Sequence, residues 1–165
     1  MRAESMPPEL AFDPNVQDPH RLTRCRQVPD VMWVQHHNGI FRTVDEGRSW
    51  TEMELVRPSS FGFAVVVHPH DPDTAWFVPA VKDECRISVD AQLVVTRTRD
   101  GGQTFESLTQ GLPQRNCYDL VYRHSMDIDA KGNRLAIGST TGNLWISEDG
   151  GDSWNCPAGH LPPIH

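Results

Sequence analysis

Three copies of one short pattern constrain this chain more than any other feature: Thr43-Val-Asp-Glu-Gly-Arg-Ser-Trp50, Thr98-Arg-Asp-Gly-Gly-Gln-Thr-Phe105 and Ser147-Glu-Asp-Gly-Gly-Asp-Ser-Trp154. Each runs hydroxyl residue, Asp two positions on, Gly two after that, a second hydroxyl residue and an aromatic ring. Asp45, Asp100 and Asp149 stand 55 and then 49 residues apart, near the ~40–50-residue period of propeller blades. Within each copy a short acid accepts backbone N–H bonds in a tight turn. The glycine (Gly47, Gly102, Gly151) takes a positive φ without a Cβ clash, and the ring (Trp50, Phe105, Trp154) opens the next strand facing the core. These nine residues read as structural.

β-Rich runs and punctuation lay out four strands around each copy. The first unit has 21–27, 31–37, 40–44 and 49–54, with Asn38-Gly39 as its hairpin signal. The second has 61–68, 74–81, 93–98 and 104–108. The third has 118–127, 134–140, 144–147 and 153–156, turning at Thr141-Gly142-Asn143. Four antiparallel strands make one blade, and no window carries a helical period. The expectation is therefore an all-β chain, a partial β-propeller of about three blades: a loop over 1–9, then blades over 10–56, 60–110 and 116–160. The second blade holds an insertion at 82–92 where the other two have short turns. Three blades do not close a ring, which takes 4–8. The chain is thus expected to be a piece of a propeller of roughly seven blades, completed by the remaining blades or by self-association.

The three motifs resemble the Asp-box, or bacterial neuraminidase repeat, and 67–76 (Val67-His-Pro-His-Asp-Pro-Asp-Thr-Ala-Trp76) is similar to a connection of uncharacterised bacterial and xyloglucanase-like members. The family spans sialidases, xyloglucanases, sortilin-like receptors and photosystem II assembly factors. The resemblance implies a propeller, and a binding or scaffold role on the face opposite the Asp-boxes. Its alternatives are a glycoside hydrolase of sialidase or xyloglucanase type and a protein-assembly factor or receptor.

Composition narrows the partners. With 15 basic against 22 acidic residues the net charge is −7, unsuited to a phosphate backbone, so nucleic acid is not expected. No apolar run approaches the ~20 residues of a membrane span. Residues 1–10 hold two prolines and two acids where a signal peptide needs a basic and then an apolar stretch, so a cytoplasmic location is expected. Cys25, Cys85, Cys117 and Cys156 lie too far apart for a thiol metal or redox motif and read as idle thiols. No cofactor is expected, and carbohydrate or protein is the expected partner class.

In a blade counted from the centre, the Asp-box shares its end with the first-to-second connections; the other end collects the second-to-third and fourth-to-first connections. That opposite face is expected to carry His36, His37, Lys82, Glu84, Arg86, Arg115 and Tyr118, the candidate ligand-binding residues. Catalytic residues are not assigned. Arg57, Arg86, Arg115 and Tyr118 only partly match a sialidase arginine triad and nucleophile. No metal site is expected: His36 and His37 are sequential on a strand end and point to opposite faces, while His68-Pro-His-Asp-Pro-Asp73 reads as a rigid turn.

Overall fold

The computed structural model describes residue 13 and residues 17–165; the expected loop over 1–9 lies outside them. Strands β1 (Pro19–Arg24), β2 (Met32–His36), β3 (Gly39–Thr43) and β4 (Thr51–Glu52) pair in chain order. So do β5 (Gly62–Val67), β6 (Ala75–Pro79), β7 (Val95–Thr98) and β8 (Glu106–Leu108), and again β9 (Met126–Ile128), β10 (Leu135–Gly138), β11 (Leu144–Ser147) and β12 (Asn155–Ala158). Every pairing is antiparallel. The only helical piece among the described residues is a 3-10 turn at Val89–Ala91. The chain folds as three blades of a β-propeller.

Period-two alternation on the middle blade explains the packing. Val65 and Val67 of β5 and Ala75 and Phe77 of β6 face the first blade, where Cys25, Trp33, Ile40, Met53 and Val56 meet them. Ala64, Val66, Trp76 and Val78 face the third blade, packing with Met126, Leu135, Ile137, Trp145 and Trp154. A strand buried on both faces is a continuous apolar run, as Phe-Ala-Val-Val-Val shows.

Three details depart from the sequence expectation. The hairpin register pairs His36 with Gly39, so His37-Asn38 is the two-residue tip and Gly39 already belongs to β3. Trp50 is half-buried, donating its indole N–H to the Gly47 carbonyl (3.1 Å), whereas Trp154 is buried as expected. The third inner strand is not 118–127 but Met126–Ile128. The ladder resumes upstream, where the Thr140 N–H reaches the Leu120 carbonyl (2.9 Å) and the Gly138 N–H the Ser125 carbonyl (2.7 Å). Four residues of the inner segment thus stand against Ser139 alone, just past β10, a bulge closed by Ser125 N–H to Tyr122 carbonyl (3.0 Å).

The acidic turns share one bonding scheme. The first hydroxyl (Thr43, Thr98, Ser147) donates to the aspartate Oδ1 and accepts the glycine N–H. The second (Ser49, Thr104, Ser153) donates its N–H to Oδ1 at 2.9 Å and its hydroxyl to Oδ2 at 2.6 Å. The residue before the glycine has φ +61° at Glu46, +73° at Gly101 and +70° at Gly150. Only the first turn places a side chain in the left-handed region, which costs a non-glycine residue about 1–2 kcal/mol. Glu46→Gly is expected to stabilise the protein by about 0.5–1 kcal/mol after the extra chain entropy of glycine is subtracted, read as a higher urea midpoint; an unchanged or lower midpoint contradicts this.

The Ser49 and Thr104 hydroxyls first, then their backbone N–H groups, bring Asp45 and Asp100 down to a pKa of about 2. In an unfolded chain Asp titrates near ~3.9. The folded state therefore binds fewer protons in this window. The stabilisation is complete above about pH 4 and is lost as pH falls toward about 2. Denaturant midpoints across that range are expected to drop steeply, and less steeply in Asp100→Asn.

Candidate functional site

The acidic turns share their end of the blades with the β1–β2, β5–β6 and β9–β10 connections: the N–H groups of Glu46, Gly101 and Gly150 reach the carbonyls of Asp30, Asp73 and Asn133 at 3.1, 3.0 and 2.8 Å. The segment 68–74 lies here as a self-satisfied turn. The His68 Nδ1 accepts the N–H groups of His70 (3.1 Å) and Asp71 (3.0 Å), and Asp71 accepts from Asp73 and Thr74.

The opposite end gathers the His37-Asn38 tip, the linker before β5, the 82–92 insertion, the bulge before β9 and the β10–β11 turn. Its centre is Phe63, only 1% exposed. His20 stacks on it (centroids 4.5 Å, planes 16° apart), and the Phe61 and Tyr122 rings meet it edge-on at 5.3 and 5.0 Å. The guanidinium carbons of Arg86 and Arg123 sit 5.4 and 5.6 Å from its centroid, within cation–π range. Arg86 comes from the insertion, where it also donates to Asp83 (2.6 Å). The Tyr122 hydroxyl, then Asp83, raise its pKa further. Phe63 is buried; what reaches the surface is Arg86, with Phe61, Tyr122, Arg123 and His37 half-exposed around it.

Beside this cluster, the Asp119 carboxylate is buried and saturated. It accepts from the Cys117 thiol (2.9 Å), the Ser139 hydroxyl (2.6 Å), the Asn143 amide (3.0 Å) and the Thr141 hydroxyl. Burial alone would raise its pKa, but these donors hold it below the usual carboxylate range. Burial, then the neighbouring carboxylate, pushes the Cys117 thiol up to about 11, so it is no nucleophile at neutral pH. The Ser88 hydroxyl bonds the Asp119 carbonyl (2.6 Å) and Cys117 N–H bonds the Ala91 carbonyl (2.9 Å). The root of the insertion is thereby pinned to the third blade while its tip stays exposed.

Of the residues singled out from sequence, Arg86 is in the Phe63 cluster and His37 borders it, stacking edge-on with Phe61 (5.7 Å). Lys82 and Glu84 pair with each other at 3.7 Å on the exposed tip. Arg115 and Tyr118 are exposed on the linker and are not among the described residues that touch Phe63. His36 is 2% exposed and faces inward against Phe41. Sequence reasoning missed His20, Phe61, Phe63, Tyr122 and Arg123. The available signal was the Phe-Gly-Phe spacing, which places two rings on one face of a strand.

A second cleft, about 240 Å³, lies between the inner strands and is lined by Arg21, Arg24, Arg26, Asp127 and Asp129 among others. It holds three arginines to two aspartates, and Arg21 is spent on the Arg123 and Met126 carbonyls.

Burial lowers the pKa of His36 to about 4, and backbone N–H groups of Asp18 and Asn38 face its two ring nitrogens at 3.1 Å each. A neutral imidazole offers one lone-pair nitrogen, so it accepts one of these N–H groups; protonating that nitrogen would leave both ring N–H groups facing backbone donors. An unfolded histidine titrates near ~6.5, so between that value and about 4 the unfolded chain binds more protons. Stability is then full above about pH 6.5 and declines as pH falls to about 4. Histidine ring NMR shifts are expected to show His36 untitrated at pH 5. In His36→Gln the decline in midpoint from pH 7 to pH 4 is expected to be shallower; an equal decline removes His36 as its source.

Neither a protein-family profile nor a curated protein matches this sequence. Solved structures do match in shape. An ancestral GH74 enzyme superposes over 84% of this chain and 18% of its own, with TM-score 0.65 and 16% identity. The GH74 xyloglucanase of Xanthomonas campestris does so over 84% and 20%, with TM-score 0.62 and 18% identity. YCF48 bound to D1 peptide matches over 92% and 44%, with TM-score 0.59 and 15% identity. The likeness is one of fold. This chain spans less than half the length of each.

Proposed function

We propose that this chain forms part of the ligand-binding face of an Asp-box propeller that docks a protein segment bearing a carboxylate. The observation that carries the proposal is the Phe63 cluster, where guanidinium groups from two different blades converge over one ring beside half-exposed Phe61 and Tyr122. Guanidinium forks recognise carboxylates bidentately, and rings held by packing supply contact area at little entropic cost. The acidic turns are Asp-boxes that act as scaffold.

Glycoside hydrolysis needs two carboxylates across the bond, roughly 5–10 Å apart. On this face Asp83 is paired with Arg86 and Glu84 with Lys82, while Asp119 is buried and saturated. These pairings favour binding over acid–base chemistry, and the peptide-bound propeller among the structural neighbours supports a polypeptide ligand.

Fluorescence anisotropy of the full chain against a panel of acidic peptides with free C-termini, and the same peptides amidated with Asp and Glu replaced, tests this. Carboxylate-bearing members are expected to bind best, and Arg86→Gln and Arg123→Gln each to weaken binding roughly tenfold or more, the worth of a charge-assisted bond. Tighter binding of a xyloglucan oligosaccharide than of any peptide, or release of reducing ends from it, overturns the proposal.

A further inference from the structure

At the edge of the Phe63 face, Asp18, His20 and His37 bring one ligand atom each within 4.8 Å of one another, the one such group of three found among the described residues. We propose that these residues form a divalent transition-metal site, suited first to Zn²⁺, with two imidazole nitrogens, one carboxylate oxygen and an open position toward solvent.

The decisive feature is the orientation of His20. Its Nδ1 lies 2.6 Å from the Gly62 carbonyl, which accepts only, so this nitrogen carries the proton. Nε2 is then a bare lone pair. It faces the Asp18 Oδ2 at 3.5 Å, and the side chain is 1% exposed. Two acceptors directed at each other repel unless a proton or a metal ion lies between them. An imidazole whose other nitrogen donates to a backbone carbonyl is the usual form of a metal ligand, because that bond fixes tautomer and ring direction.

The spacing fits the ion. Ligands at ~2.0–2.1 Å in a tetrahedral shell lie roughly 3.4 Å apart. Asp18 Oδ2 is 3.5 Å from His20 Nε2 and 3.7 Å from His37 Nδ1. The frame is preset as well. His20 is clamped on Phe63, and the Asp18 main chain is held on both sides, its N–H by His36 Nε2 (3.1 Å) and its carbonyl by the His37 N–H (3.0 Å). His37 and Asp18 sit at the rim, with side chains 26% and 57% exposed, leaving an entry path. Nitrogen ligands select Zn²⁺ or Co²⁺ over Mg²⁺ or Ca²⁺.

The site does not depend on peptide binding and is tested without peptide. The full chain, stripped with chelator, is titrated with Zn²⁺ by calorimetry, and with Co²⁺ by visible absorption. One equivalent is expected to bind, with a low-coordinate Co²⁺ spectrum and a rise in melting temperature. Asp18→Asn and His37→Gln, both at the rim, are each expected to lower affinity at least about 100-fold, more than the usual ~10–100-fold loss for an outer-shell partner. Cys156→Ser and His160→Gln, both exposed elsewhere, are expected to bind as the parent does. No saturable Zn²⁺ binding by the parent, binding retained in both rim variants, or binding abolished by Cys156→Ser would each overturn the proposal.

Discussion

A tryptophan and an arginine directly across two strands hold one blade to the next, and the placement of everything else depends on that latch. Trp33 and Arg42 are cross-strand partners, as are Trp76 and Arg97. Trp33 donates to the Pro72 carbonyl (2.9 Å), while Arg42 pairs with Asp73 and lies over the Trp33 ring at 5.3 Å. One blade further, Trp76 and Arg97 both donate to the Gly150 carbonyl, at 2.9 and 2.7 Å, and Arg97 also binds Asp152 and Glu106 at 2.7 Å each. Arg97 is 3% exposed, so its charge is buried, and removing one acid would leave it undercompensated. In each case the target is the turn region of the following blade, in the second case the acidic turn itself. That explains why the aspartate turns must be rigid: they are docking points as well as chain reversals. At the corresponding positions of the third blade stand Ala136 and Ile146, both half-exposed, so that sheet carries no such latch.

Fixing the blades at one end leaves the other end free to vary, and that is where the irregular features collect. The insertion on the second blade and the bulge on the third are unrelated in sequence, yet both deliver an arginine to Phe63. A regular inner strand at 118–127 would have carried residues 121–124 along the ladder. Displaced into the bulge, they bring Tyr122 and Arg123 over the start of β5 instead. Bulges re-aim side chains at the cost of local pairing; here the lost pairing is offset by the Asp119 network, which ties the upstream segment to Ser139, Thr141 and Asn143.

The blades were legible in the sequence because their signals are local. A hydroxyl–aspartate–glycine turn satisfies itself within seven residues, and alternation along β5 and β6 needs no knowledge of the partner blade. The sorting of connections onto two ends followed from the same counting, and so did Arg86 and His37 as residues of the opposite end. The cluster itself was not legible, because its members come from positions 20, 61, 63, 86, 122 and 123, joined only by blade packing. The displaced inner strand was hidden for a related reason: Leu120-Val-Tyr reads as strand by composition, and only the long-range claim of three donors on Asp119 (Ser139, Thr141 and Asn143) draws the chain aside.

The two adjacent histidines show how local reasoning can be sound and still incomplete. Successive strand residues point to opposite faces, and His36 and His37 do: one turns inward toward Phe41, the other outward toward Asp18. From that alone they cannot share an ion. Yet His36 accepts the Asp18 N–H while His37 bonds the Asp18 carbonyl and faces its carboxylate, so the pair acts jointly on a residue 18 positions upstream of His36. A neutral, buried His36 serves as a fixed acceptor because protonation is disfavoured there, and its rigidity passes to Asp18 through a single main-chain bond. The hairpin tip that looked from sequence like a place for one pocket histidine thus uses two, one to position the carboxylate and one to stand beside it. Since β1 enters the blade at this same corner, Asp18, the residue just before it, is held by the groups that shape the ligand face.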